Sequence, residues 1–237
     1  MVRPLLWLIV FASGLHDLLG VSIIPPYRTY TPYQEYILPG LIGMIVLFQS
    51  MQSALSLVYD REVGVMRVML VTPVPHPFLL FAKILAATIF ALLQAVIFLA
   101  VAAIFGITLP LPTLILMVPA VIMAGLMLGS IGLVVSVYTR QIENFAGIMN
   151  FVIFPMFFLS PALYPLWKLR ESGVQVIYTL AIGNPFTHAV ELIRFAAYGQ
   201  FNVTSFLVVA GTGLVAFALA VRGYNPLIGA FGQVKRD

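Results

Sequence analysis

Long uncharged apolar stretches, separated by short polar segments, dominate the 237 residues of this chain. Residues 84–138 contain no charged side chain. A transmembrane helix needs only about 20 consecutive apolar residues to cross a hydrocarbon core of about 30 Å. The pattern therefore predicts an all-α polytopic membrane protein, a single domain over residues 1–237. Its six transmembrane helices are predicted at about 4–19, 37–58, 79–105, 113–137, 144–160 and 203–221.

The first predicted span is the weakest, because His16 and Asp17 interrupt it near its end. Ionisable groups inside a span are functional candidates by default, so both could line a substrate route. Their position at the outer end of the span makes an interfacial location an equal alternative. Only residues 1–3 precede this span, which suggests a clipped product or a start further upstream.

Charged side chains gather between the second and third predicted spans, in the loop over residues 59–78. A segment this polar cannot lie in hydrocarbon, and its basic balance favours the cytoplasmic side. Read as a helix, it places Val63, Met66 and Leu70 on one face, which predicts a short amphipathic helix at the membrane surface. Prolines then end this helix, because proline lacks an amide donor. The charged and small residues of the segment are Asp60, Arg61, Glu62, Gly64 and Arg67.

Residues 162–202, before the last predicted span, are too polar and too often interrupted to form another span. The apolar run 174–182 is too short to cross a bilayer, and Asn184-Pro185 breaks the chain after it. We expect two short helices that dip into the outer leaflet or lie on it. Glu191 and Arg194 are three residues apart, so they could pair on one helix face.

Composition agrees with a membrane location. Hydrophobic residues make up 62% of the chain and the mean hydropathy is +1.07, whereas soluble domains are nearer half apolar. The predicted topology assigns eight basic residues to the side of both termini and four to the other side, which predicts cytoplasmic termini. We attribute the net charge of +4 to basic residues in the cytoplasmic loops rather than to nucleic-acid binding.

The sequence lacks the motifs of several enzyme classes. No lysine follows a glycine in a phosphate-binding loop, so the chain is not expected to hydrolyse ATP itself. The three aspartates are far apart, the three histidines are isolated and there is no cysteine, so we expect no metal or other cofactor. Ser130 lies in a glycine-rich stretch whose small residues favour close helix packing, namely Gly125, Gly129 and Gly132. A membrane-embedded lipid-modifying enzyme remains the alternative to a transport subunit.

These features together resemble the permeases of ABC-2 type ABC transporters. The stretch from Tyr59 to Lys83 resembles the family's "E-x-G … P … K" coupling loop, with Glu62 and Gly64 in place. Residues 184–194 look like its "N-P-hydrophobic … R" outer segment, with Asn184, Pro185 and Arg194 in place. One departure is that family members usually carry a cytoplasmic amphipathic helix before the first span.

The resemblance implies a function and partners. Two permease copies would pair in the bacterial inner membrane, and separate ATPase subunits would bind ATP and Mg²⁺. The coupling helix, with Asp60, Arg61, Glu62, Gly64 and Arg67, would dock on the ATPase. The exported substrate would be hydrophobic or amphipathic, such as a drug, lipid or glycan, and a haem-exporter-like permease is an alternative.

Overall fold

The computed structural model describes residues 4–8, 10, 20–21, 25–27, 31–63, 75–107, 109–139, 142–166 and 175–224. Residues 4–8 are helical, and two short antiparallel strands, β1 (Gly20–Val21) and β2 (Thr31–Pro32), pair Gly20 with Pro32. Seven longer helices follow within the described residues: α1 (Tyr33–Glu62), α2 (His76–Ile104), α3 (Leu111–Tyr138), α4 (Ile142–Phe158), α5 (Gln175–Gly183), α6 (Pro185–Ala197) and α7 (Val203–Gly223).

Prolines and asparagines mark where the helices begin. Proline stands in the first turn of α2, α3 and α6, where its missing amide would have no helical partner. Asn184 and Asn202 cap α6 and α7, each accepting a 3.0 Å hydrogen bond from a backbone amide of the first turn. Gly106, at φ +83°, permits the tight turn between α2 and α3.

Helix α3 lies at the centre of the bundle and packs against α1, α2, α6 and α7. Its glycines face close neighbours. A Cβ atom at Gly125 would lie 2.7 Å from Thr88 Cγ2, and one at Gly129 would lie 2.6 Å from Ile84 Cγ2, both on α2. A Cβ at Gly132 would lie 3.0 Å from the Cβ of Ala54 on α1. Small residues at these positions let the helix axes approach closely.

Four helices in the described part of the chain are long and apolar enough to cross a membrane: Tyr33–Asp60, His76–Ile104, Pro112–Tyr138 and Val203–Gly223. They match the predicted second, third, fourth and sixth spans. The predicted fifth span corresponds to α4, whose apolar part, Gly147–Phe158, is shorter. The predicted first span is described only at residues 4–8 and 10, and His16 and Asp17 lie outside the described residues.

Several predicted boundaries are wrong. Asp60, Arg61 and Glu62 continue α1 rather than opening a loop, and α2 begins at His76 rather than Leu79. Helix α4 begins at Ile142 rather than Asn144 and continues through Pro155 to Phe158. Helix α1 extends beyond its apolar residues, because Arg and Glu, which follow them, also have a high helix propensity. Residues 64–74 of the predicted coupling loop, which include Gly64 and Arg67, lie outside the described residues.

Candidate functional site

Two polar clusters lie at opposite ends of α1. This helix has 30 residues, so its ends are about 45 Å apart. We call the cluster around Asp60 and Glu62 the Asp60 end, and the cluster around Tyr36 and Arg194 the Arg194 end. Asp60 and Glu62 of the predicted coupling residues belong to the first, and Glu191 and Arg194 of the predicted outer segment belong to the second.

At the Asp60 end, two carboxylates of α1 bind neighbouring helices. Asp60 pairs with Lys83 of α2, and both side chains are mostly buried. Glu62 Oε1 accepts a 2.9 Å hydrogen bond from the backbone amide of Ile142, the first residue of α4. The N-terminus of a helix has unsatisfied amides and a positive partial charge, so a carboxylate is favourable there. The end of α1 is thereby tied to the beginnings of both α2 and α4.

Neither contact at the Asp60 end follows from a local sequence pattern. Lys83 and its partner Asp60 are 23 residues apart. No sequence pattern pointed to the bond between Glu62 and Ile142, because its donor is a backbone amide 80 residues away. Of the other predicted coupling residues, the side chain of Arg61 and all of Gly64 and Arg67 lie outside the described residues.

At the Arg194 end, the guanidinium of Arg194 is buried, and its two terminal nitrogens are paired while its Nε has no hydrogen-bond partner among the described residues. It pairs with Glu191 and donates a 2.6 Å hydrogen bond to the carbonyl of Pro161. Its Cζ atom lies 4.2 Å from the centre of the Tyr36 ring. Burial on its own would lower the pKa of Arg194, but Tyr36, Tyr27 and Glu191 raise that pKa overall, so the guanidinium is charged. The expected pairing of Glu191 with Arg194 is confirmed.

Asn184 connects the outer segment to the end of α4. Its side-chain oxygen caps α6, while Nδ2 donates hydrogen bonds to the carbonyls of Met156 at 2.7 Å and Leu159 at 3.2 Å. These carbonyls lie at the C-terminal end of α4, where helical partners run out. Pro185 occupies the first position of α6. Asn184 and Pro185 therefore begin α6, and Asn184 also binds α6 to the end of α4.

A group of tyrosines surrounds Arg194. Tyr33 donates a 2.7 Å hydrogen bond to the Leu163 carbonyl, and Tyr36 donates a 3.1 Å bond to the Pro161 carbonyl. The Tyr27 ring lies 4.6 Å from Tyr198 and 5.8 Å from Tyr36, measured between centroids. Burial raises the pKa of Tyr27 to about 12, so the hydroxyl is neutral at physiological pH. The tyrosine rings therefore surround the Glu191–Arg194 ion pair with a mostly apolar, aromatic environment.

One face of α4 is left uncovered by the described residues. Phe151 is 78% exposed, and Phe154 and Phe158, which stack with centroids 6.1 Å apart, are also exposed. Gly147 and Asn150 share this face, and a Cβ atom at Gly147 would meet nothing within 4 Å. A glycine and an asparagine among phenylalanines are unusual for a lipid-facing surface, since small and polar residues in membranes favour helix–helix contacts.

Two observations on the described side chains concern metal binding and nucleophilic chemistry. Among the described residues, no group of three His, Asp or Glu side chains could hold a metal ion. Ser205 Oγ lies 3.5 Å from Nδ1 of His188, whose Nε2 lies 3.0 Å from the Ile182 carbonyl. Because Nε2 donates to that carbonyl, Nδ1 is free to accept from the serine. Ser205 is buried, and this pair connects α6 to α7.

Comparison with known proteins places these features in a family context. The family model for ABC-2 type transporters matches residues 1–198. The chain is 31% identical over 200 residues to a protein of Cyanophora paradoxa named as transport permease ycf38, covering 82% of this chain and 65% of that protein. The protein of the same name in Porphyra purpurea is 30% identical over 197 residues, with the same coverage of both chains.

Nodulation protein J of Rhizobium leguminosarum bv. viciae is similar over a shorter region. It is 33% identical over 82 residues, which cover 35% of this chain and 30% of that protein. The chain spans just under two thirds of the length of the ycf38 relatives. No solved structure matches the chain.

Proposed function

Since the chain belongs to the ABC-2 type transporter family, we propose that it is the membrane-spanning permease subunit of an ATP-driven exporter. The family match over residues 1–198 is the observation that carries this proposal. A separate ABC ATPase subunit binds ATP and Mg²⁺, and the permease chain performs no chemistry of its own. The permease lies in the inner membrane of a bacterium.

The proposed topology has six spans with both termini in the cytoplasm. Helices α1, α2, α3 and α7 supply four spans, α4 supplies a fifth, and residues 4–19 supply the first. In this arrangement the Asp60 end is cytoplasmic and the Arg194 end is exterior. The excess of basic residues predicted on the cytoplasmic side supports this orientation.

The contacts at the Asp60 end suggest how the ATPase moves the permease. Asp60 and Glu62 lie at the end of α1, where Asp60 binds Lys83 of α2 and Glu62 binds the first residue of α4. A displacement of the coupling segment by the ATPase therefore acts on three helices together. Helix α4 receives the displacement through Glu62, which makes Glu62 a positioning residue rather than only a docking residue.

The uncovered face of α4 is proposed as the contact with a second copy of this chain. A polar side chain such as Asn150 is unfavourable in hydrocarbon unless it finds a partner, and Gly147 permits close approach of a second helix. Two copies that meet along this face would enclose the export route between them. The exposed phenylalanines then suit a hydrophobic or amphipathic substrate of drug, lipid or glycan type.

Co-purification tests the proposal. The tagged chain is isolated from membranes of its native cells, and retained proteins are identified by mass spectrometry. We expect a P-loop ATPase whose hydrolysis rate changes when the permease is present. Charge reversal by Glu62→Arg together with Arg67→Glu should weaken binding or stimulated hydrolysis, whereas Arg222→Glu, an exposed reversal on α7, should not. Unchanged binding and hydrolysis in the double variant would remove the coupling assignment.

A further inference from the structure

A cavity of about 420 Å³ lies between α1, α2 and α3, close to the turn that joins α2 to α3. Its described lining is entirely apolar and includes Ile42 of α1, Leu92 and Ala100 of α2, and Leu114 and Val118 of α3. We call it the α2–α3 crevice. Its volume falls within the range of about 300–1,000 Å³ that is typical of small-ligand sites. None of the residues assigned above to coupling or to the Arg194 end lines it.

Small side chains on α2 create the crevice. Ala95, Ala100 and Ala103 stand where larger residues would fill the gap toward α3. The crevice is open on one side, where its rim residues Val96 and Ile115 are 55% and 71% exposed. Its inner end is closed by Met117 and Val121, which line the crevice and are buried. The crevice therefore has a mouth on the outer surface of the bundle and a floor within the core.

The mouth is continuous with the boundary between the protein and the bilayer. Helices α2 and α3 are both long and apolar enough to span a membrane. Beside the mouth, α2 presents the exposed apolar residues Leu93, Ile97 and Ile104. Hydrocarbon is therefore the medium that meets the opening. The nearby turn between α2 and α3 puts the crevice in the leaflet at that end of the bundle.

The chemistry of the lining selects the occupant. Water would find few hydrogen-bond partners on these walls, and apolar cavities stay dry for that reason. An empty crevice of this size would forfeit the dispersion contacts of its lining. We propose that the α2–α3 crevice holds one acyl chain of a bilayer lipid, which enters between Val96 and Ile115 and reaches Met117 and Val121. Recognition is by shape and hydrocarbon contact, not by headgroup charge.

Photolabelling tests the proposal on the wild-type chain. The protein is reconstituted in phosphatidylcholine vesicles that contain phosphatidylcholine with a diazirine in the middle of one acyl chain. We expect labels on Met117 or Val121, which an ordinary boundary lipid cannot reach because both side chains are buried. Labels confined to exposed residues such as Ile89 and Val96 would overturn the proposal.

A filled crevice provides the second arm. Ala100→Leu with Ala103→Leu places bulk in the crevice, whereas Ala82→Leu with Ala86→Leu adds the same bulk to exposed positions of α2 outside it. We expect loss of labelling at Met117 and Val121 in the first variant and unchanged labelling in the second. Persistent labelling of the floor in the filled variant would contradict the proposal. The wild-type result decides the question if the filled variant does not fold.

Discussion

Replacing Arg194 with methionine should destabilise the protein strongly, because this guanidinium joins three parts of the chain. Methionine keeps the apolar volume of the side chain but removes its charge and donors. The substitution removes the bond to the Pro161 carbonyl, the pairing with Glu191 and the contact with the Tyr36 ring. It also leaves the Glu191 carboxylate, whose side chain is only 20% exposed, without its cation.

The magnitude follows from these contacts. A hydrogen bond from a charged donor contributes about 1.5–3 kcal/mol, and a desolvated cation–π contact contributes up to about 2 kcal/mol. The partial exposure of Glu191 reduces the cost of its lost partner, so we expect a total of about 2–5 kcal/mol. For a chain of this size, about 2–4 °C is lost per kcal/mol, which corresponds to a fall in Tm of roughly 4–20 °C.

Thermal unfolding of the detergent-purified protein, followed by size-exclusion chromatography, measures this fall. Arg222→Met is the matched control, because Arg222 is exposed at the end of α7 and surface changes are usually within about 0.5 kcal/mol. Combining Arg194→Met with Glu191→Leu should recover part of the loss, since no carboxylate is then left unpaired. Equal Tm values for Arg194→Met and wild type would refute this account of the Arg194 end.

Three further predictions concern the helix contacts. Glu62→Ala should destabilise the protein by about 0.5–2 kcal/mol in thermal unfolding and weaken stimulation of the ATPase, because α4 loses the carboxylate at its N-terminus. Glu62→Gln keeps the acceptor oxygen, so its stability should lie between those of Glu62→Ala and wild type. Normal stimulation of the ATPase by Glu62→Ala would contradict the proposed coupling through Glu62. Gly129→Ala should cost about 1–3 kcal/mol by overpacking against α2, whereas Gly211→Ala, where an added Cβ meets nothing, should cost little; equal stability of the two would argue against close α2–α3 contact. Gly147→Leu should abolish cross-linking between permease copies through α4, and Gly211→Leu should not; persistence of the cross-link would exclude this face as the contact.

The sequence predicted the spanning helices well because their signal is local. An uninterrupted apolar run long enough to cross a bilayer defines α1, α2, α3 and α7 without any knowledge of their neighbours. Their ends were predicted less well. Residues 60–62 are polar, yet they stay helical, since Asp60 pairs with Lys83 and Glu62 binds the amide of Ile142. Such partners are distant in sequence and leave no periodic pattern.

The two polar clusters differ in how much of them could be predicted. The pairing of Glu191 with Arg194 follows from a spacing of three on a helix, which the sequence contains. The burial of Arg194 under Tyr36, and its bond to the Pro161 carbonyl, depend on the packing of α6 against α1. Tyrosines beside prolines are also typical of interfacial loops. The sequence alone therefore does not distinguish tyrosines buried around Arg194 from tyrosines exposed at the membrane surface.

The most direct test of the proposed function is ATP hydrolysis in reconstituted membranes. The ATPase subunit that co-purifies with the chain is assayed in proteoliposomes with wild-type permease, with the Glu62→Arg and Arg67→Glu double variant, and without permease. We predict that wild-type permease changes the hydrolysis rate and that the double variant does not. A purified permease that moves or modifies a substrate without nucleotide and without any ATPase would contradict the proposal.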